Sequence, residues 1–174
     1  LSGYGRKDYQ TPNLDKLAAQ GIKFVNAYSA GPLCTPTRTA FMTGRWPART
    51  PVGLMEPLRG SKKDSAYGLT AQFPSIATLM KKNGYETILI GKWHLGFLPE
   101  HSPVRNGFDY FFGIHSGGAD YISHKGAGRT RIHDLYENDS PVYSEGYLTD
   151  LFSQKAVSFI KQKHSTPFFL TLNY

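Results

Sequence analysis

Two stretches of this chain repeat one order of events, a helical pattern, a break and a short apolar run, and that order limits the available folds more than any other feature. In the first, Pro74-Ser75 opens a segment with Ile76, Leu79 and Met80 on one helical face, Gly84 ends it, and residues 86–90 read as a buried strand. In the second, residues 147–163 carry Leu148, Leu151, Phe152, Ala156, Phe159 and Ile160 on a broad stripe, Pro167 breaks the pattern, and residues 168–173 read as a strand. Helices alternating with short apolar strands predict an α/β layer architecture with a mainly parallel central sheet flanked by helices. An earlier helix is predicted from Thr11-Pro12-Asn13, with Thr11 as N-cap, Leu14, Leu17 and Ala18 as its apolar face and Gly21 as its stop. Residues 22–28 alternate in the manner of a strand. Residues 50–73 are rich in Gly, Pro, Ser and Lys and predict a long surface loop, while residues 99–144 are aromatic and Gly-rich with no clean period.

Composition then narrows the function classes. At 174 residues, with 40% hydrophobic and 14% aromatic side chains, the chain carries enough apolar surface for a core and too much for a disordered tail. Its longest clean apolar stretch, around residues 88–90, is far short of the roughly 20 residues that cross a bilayer. A net charge of +7 suits an anionic partner, whether nucleic acid, sulfated sugar or phosphate, and no nucleic-acid motif accompanies it. The single cysteine excludes an internal disulfide framework and a multi-Cys zinc site, so Cys34 is a buried thiol, an intermolecular thiol or a chemical actor. Leu1 is not an initiator Met and the chain stops directly after an apolar run, which predicts an excised piece of a longer protein.

Around Cys34, residues 31–44 read as a loop entering a helix at or just after the cysteine, with Pro36 in the first turn and Gly44 at the exit. On such a helix Cys34 and Arg38 share a face, so the guanidinium sits beside whatever Cys34 binds or becomes. The unpaired N–H groups of the first turn favour an oxyanion at the same spot. Lys92 and His94 are two apart at the end of the strand predicted over residues 86–90, and on a continued strand both leave from one face, where α/β sheets place their ligands.

These residues resemble a known family. Cys34-Thr35-Pro36-Thr37-Arg38, followed by Thr43-Gly44-Arg45, is similar to the sulfatase signature, in which a Cys in a C-x-P-x-R context is oxidised to formylglycine after translation. Thr11-Pro12-Asn13-Leu14-Asp15-Lys16-Leu17-Ala18 and Phe24-Val25-Asn26-Ala27-Tyr28-Ser29 resemble the family's lead-in. Gly91-Lys92-Trp93-His94-Leu95-Gly96 resembles its second signature, and Gly107-Phe108-Asp109-Tyr110-Phe111-Phe112-Gly113 and Thr166-Pro167-Phe168-Phe169 are similar as well.

The resemblance implies an alkaline-phosphatase-like α/β sandwich, of which residues 1–174 are the N-terminal portion of a single sulfatase catalytic domain. It implies hydrolysis of a small-molecule or glycan sulfate ester, with formylglycine from Cys34 as nucleophile. Such a nucleophile needs fixed positive charge around it, because attack on sulfur concentrates negative charge. Arg38 is expected to hold the formylglycine and offset that charge, Lys92 to contact the sulfate, and His94 to hold the hydrate and assist its proton transfers. His115 and Ser116 are expected to touch substrate. A divalent metal, usually Ca2+, is implied on the formylglycine at position 34, with its other ligands outside this chain, so the piece alone is expected to be nearly inactive. A formylglycine-generating enzyme is the implied partner, and an exported or lysosomal setting the implied location. Two alternatives stay open: a phosphonate or phosphodiester hydrolase of the same superfamily, and a non-catalytic anion-binding module. His101, His124, His133 and His164 form no helical metal pair, and Lys62, Lys63, Arg129 and Arg131 are basic loop residues able to attract a polyanion.

Overall fold

A computed structural model describes residues 1–55, 57–60, 66–127 and 131–174, so Lys62, Lys63 and Arg129 lie outside the described residues. Strand β1 (Glu86–Lys92) forms the centre of the fold. It pairs in parallel with β2 (Tyr110–Ile114) on one side and with β5 (Phe168–Asn173) on the other. Two short strands, β3 (Tyr136–Glu137) and β4 (Ser140–Pro141), extend the β2 edge antiparallel, giving the order β4-β3-β2-β1-β5. The sheet is therefore mixed, with its parallel part at the centre. Parallel strands need coverage on both faces, and β1 has it. Ile88 and Ile90 pack with Phe112 against Leu148, Phe152 and Ala156 of helix α4 (Leu148–Ile160). Leu89 faces the other way, into a core with Trp93, Phe108, Phe111 and Met42.

Three further helices are α1 (Pro12–Gln20), α2 (Cys34–Thr43) and α3 (Ile76–Lys82). Ser75 caps α3, its hydroxyl accepting from the Thr78 amide as a serine at that position should. The apolar stripe of α3 is offset from the one expected: Ala77 is the residue fully buried, while Leu79 is 59% exposed.

Three other expectations are corrected by the fold. Residues 22–28 form neither strand nor helix, and Phe24, Val25 and Tyr28 face outward. Alternation marks a strand only where a sheet edge offers hydrogen bonds, and among the described residues no strand pairs with this segment. Residues 50–73 are not a purely surface loop: Val52, Leu58 and Leu69 are buried, and the Leu69 amide donates to Leu95 O at 2.7 Å. Within residues 99–144 lies β2, which escapes a period search because its residues are buried on both faces and so do not alternate. Gly91 and Gly113 let β1, β2 and β5 close up at their carboxyl ends. A Cβ on Gly91 would stand 1.8 Å from the Asn173 carbonyl oxygen, and one on Gly113 would stand 1.9 Å from that of Gly91.

Candidate active site

Helix α2 starts at Cys34 itself. Leu33 is extended and no side chain caps the first turn, so the helix presents bare amides and the positive end of its dipole beside residue 34. Gly44 ends the helix in the left-handed conformation at φ 64°, and its amide donates to Ala40 O at 2.9 Å. Met42 sets the helix into the core, and polar contacts tie it to its neighbours. Buried Thr35 donates through Oγ1 to His94 O at 3.3 Å and accepts from the Leu58 amide at 3.2 Å. One turn on, Arg38 Nη1 donates to Lys92 O at 2.8 Å. The same carbonyl accepts from Asn173 Nδ2 at 3.1 Å, so the end of β1 is gripped from α2 and from β5.

The chain then turns off the sheet. Trp93 N donates to Ile114 O and His94 N to His115 O, while His94 adopts a left-handed φ of 57°. For a non-glycine residue that conformation is uncommon and concentrates at functional sites. Trp93 goes inward, its Nε1 donating to His101 O at 2.8 Å, and anchors the turn. Lys92 goes the other way, its Nζ donating to Gly117 O at 2.7 Å.

The charges of this cluster act on one another. Burial pushes the Lys92 ammonium below its usual pKa, neighbouring Arg38 pushes the same way, and Cys34 opposes both. Arg38 is likewise lowered by burial and opposed by Cys34. His94 falls to about 4, mainly from burial, with smaller contributions from Lys92 and Arg38 and with its bond to Leu58 opposing. At neutral pH the ring is therefore neutral. Its Nε2 lies 2.7 Å from Leu58 O, which only accepts, so Nε2 carries the proton and Nδ1 presents a lone pair. That Nδ1 is buried and has no partner among the described residues.

Cys34, Arg38, Lys92 and His94 are thus brought into one cluster. His115 adjoins it through its backbone carbonyl, which accepts from the His94 amide, and the Ser116 amide donates to Asp134. The His115 ring packs edge-on to Phe111 and Tyr136, with centroids 5.2 and 4.7 Å away, and Ser116 Oγ donates to Gly118 O at 2.8 Å. Arg131 is described at a left-handed φ of 43° and belongs to a separate loop. Thr35, Leu58, Gly117, Asp134 and Asn173 complete the surroundings of the cluster without having been singled out in the sequence. Of these Thr35, inside the 34–38 motif, and Asn173, at the end of a strand parallel to β1, carried a positional signal.

Among the described residues no group of three or more His, Cys, Asp or Glu side chains could hold a metal ion. The charged neighbours of Cys34 are the cations Arg38 and Lys92. A calcium ion takes about six to eight oxygen ligands. The described residues do not by themselves fit such an ion.

The family model described as Sulfatase matches residues 1–174. The chain belongs to the sulfatase family. It is 35% identical over 192 residues to human N-acetylgalactosamine-6-sulfatase, covering 98% of this chain and 35% of that protein. It is 36% identical over 179 residues to arylsulfatase J of Mus musculus, covering 99% of this chain and 29% of that protein. Among solved structures, Ps i-CgsB superposes with a TM-score of 0.84 at 36% identity, over 98% of this chain and 40% of that one. BT4656, solved with its substrate D-glucosamine-2-N,6-O-disulfate, gives 0.73 at 28% identity over 99% of this chain and 30% of that one. The chain therefore spans about a third of the length of the curated sulfatases it matches.

Proposed function

We infer that this chain supplies the nucleophile end of a sulfatase catalytic domain, and that the complete protein hydrolyses sulfate esters through a formylglycine made from Cys34. The observation that carries this reading is the convergence of Arg38, Lys92 and His94 on the uncapped start of α2, where Cys34 stands. A hydrated formylglycine supplies two oxygens on one carbon, one to attack sulfur and one to drive release of the product.

The surrounding residues each have a task that their geometry supports. Arg38, whose Nη1 donates to Lys92 O, keeps fixed positive charge beside residue 34. Lys92 brings a second positive charge to the same place and is the group best set to meet a sulfate oxygen. His94, neutral and with Nδ1 unpartnered, supplies an acceptor for a hydroxyl proton of the hydrate. The bare amides of α2 favour the anionic group over any neutral ester. The family implies a divalent metal as Lewis acid, with ligands beyond those described here, so the 174-residue chain alone should turn over little or no substrate. Conversion of Cys34 calls for a formylglycine-generating enzyme in the producing cell. Because BT4656 is solved with a sulfated sugar, a sulfated sugar is the first substrate to assay.

Two measurements on the complete protein test the reading. Peptide mass at position 34 should fall by about 18 Da, the change from CH2SH to CHO. Sulfate ester turnover should exceed phosphate ester turnover and should drop by about a thousandfold or more in Cys34→Ala. An unmodified cysteine together with unchanged turnover in Cys34→Ala would sink it. Preference for phosphate esters would move the assignment to phosphoryl chemistry.

A further inference from the structure

The loop that leaves β2 runs alongside the end of β1 and touches both side chains there. Its Gly117 carbonyl accepts from Lys92 Nζ at 2.7 Å, and its His115 carbonyl accepts from the His94 amide at 3.2 Å. Gly117 also lies against the His94 ring so closely that a Cβ there would stand 2.7 Å from the carbon between the ring nitrogens. Whatever sets the position of this loop sets the ammonium and the imidazole together.

One buried carboxylate grips the loop at its start. Asp134, 8% exposed, accepts from the His115 amide through Oδ1 and from the Ser116 amide through Oδ2, both at 3.0 Å. Two consecutive amides on one carboxylate fix the peptide plane between them, much as an anion-binding nest does. Asp134 is itself fixed, since its own amide donates to His124 O at 2.9 Å. Downstream, Ser116 Oγ donates to Gly118 O, and Ala127 N donates to the same oxygen at 2.6 Å. Gly117 is thus held between two anchored residues, and its carbonyl points at Lys92 by construction.

We propose that Asp134 is a positioning residue of the sulfatase site, acting through the 115–118 loop to aim Lys92 and to seat the ring of His94. The proposal rests on the sulfate ester reading of the site, but it makes a geometric claim that is tested separately. Asp134→Asn keeps one acceptor oxygen and sets an NH2 donor against the other amide, which opens that side of the grip, lets Gly117 O drift from Lys92 and releases the ring of His94. A displacement of about 1 Å at a reacting group is enough to cost on the order of a hundredfold in rate.

The test uses the complete protein with Asp134→Asn, Lys92→Ala and the double variant, assayed on a sulfate ester well below the melting temperature of each. The expected result is a loss of about 10- to 100-fold in kcat for Asp134→Asn with a smaller change in KM. The double variant should be slower than Lys92→Ala by clearly less than the full Asp134→Asn factor, because the part of the loss that acts through Lys92 is already gone and only the part that acts through His94 remains. Unchanged kcat in folded Asp134→Asn overturns the proposal, and so does a double variant whose losses multiply, which marks a general structural defect. A crystal structure of Asp134→Asn reads the geometry without any activity. An intact Lys92–Gly117 hydrogen bond there also overturns the proposal, whereas absence of sulfate turnover in the unaltered protein counts against the function reading alone. Should Asp134→Asn not fold, Gly117→Ala asks the same question by pressing on His94 from the loop side, and full kcat in that variant overturns the proposal.

Discussion

Helices α1 and α2 are near equals in length, nine residues against ten, and each ends at a glycine. By sequence α1 has the better apolar face, and yet it buries no residue, with Leu17 67% exposed. Helix α2 is rich in threonine and buries Thr35, Pro36, Thr39 and Met42. The segment containing α1 is tied mainly to itself, by Ser2 and Thr11 hydroxyls and the Asp15 carboxylate, which accepts from Ser2 Oγ at 2.5 Å and from the Gly3 amide at 2.8 Å. Helix α2 is tied to other elements: to the end of β1 through Thr35 and Arg38, and to the 57–60 segment through the Leu58 amide. An apolar stripe is an offer of burial, and a hydrogen bond to a buried carbonyl is a commitment to one position. The helix that carries Cys34 is the one committed by polar contacts.

The contrast can be broken at several points. The largest effect is expected from Gly91→Ala, which puts a methyl group 1.8 Å from Asn173 O at a φ of +106°. It should destabilise the chain by about 4 kcal/mol or more, or prevent folding, as read by urea denaturation. Met42→Ala on α2 comes next, at about 2–5 kcal/mol by the same measurement, because Met42 is wholly buried among the residues around Trp93.

Acid should loosen the α2 side of the molecule in particular. His94, His101 and His115 are all lowered from 6.5 by burial, His94 to about 4, and no histidine precedes residue 94. The fold prefers their neutral forms, so their stabilising contribution is complete above about pH 6.5 and is lost as the pH falls below it, through about 4 for His94. The urea midpoint should fall over that window, and His101→Gln should flatten part of the slope. A midpoint that is level from pH 7 to 4 would contradict the assignment. The smallest effect belongs to Leu17→Ala on α1, expected within about 0.5 kcal/mol of zero in this chain. A loss as large as that of Met42→Ala would erase the distinction between the two helices.

The segment around Cys34 was readable in advance because its signals are local. Pro36 in the first turn, Gly44 at the exit and the spacing of Cys34 to Arg38 describe one helix, and the family pattern names the same residues as chemical. Strands β1 and β5 were readable for a similar reason, each following a helical stripe and a Gly or Pro break. Strand β2 was not, because burial on both faces removes alternation. Residues 22–28 misled in the opposite sense, having alternation and no sheet edge to use it.

From sequence alone came the α/β class, a helix beginning at or just after Cys34, and the two local pairs Cys34 with Arg38 and Lys92 with His94, since each rests on neighbours within a turn of helix or a strand's length. Only the family resemblance joined the two pairs into one candidate site. Tertiary structure alone decided how those residues are held. Lys92 O receives Arg38 and Asn173 from two different elements, Lys92 Nζ reaches Gly117, and Asp134 fixes the loop that Gly117 belongs to. Those partners are 18 to 81 residues apart in the chain. No spacing rule spans such gaps, because the contacts exist only once three parallel strands bring their carboxyl ends to the same edge.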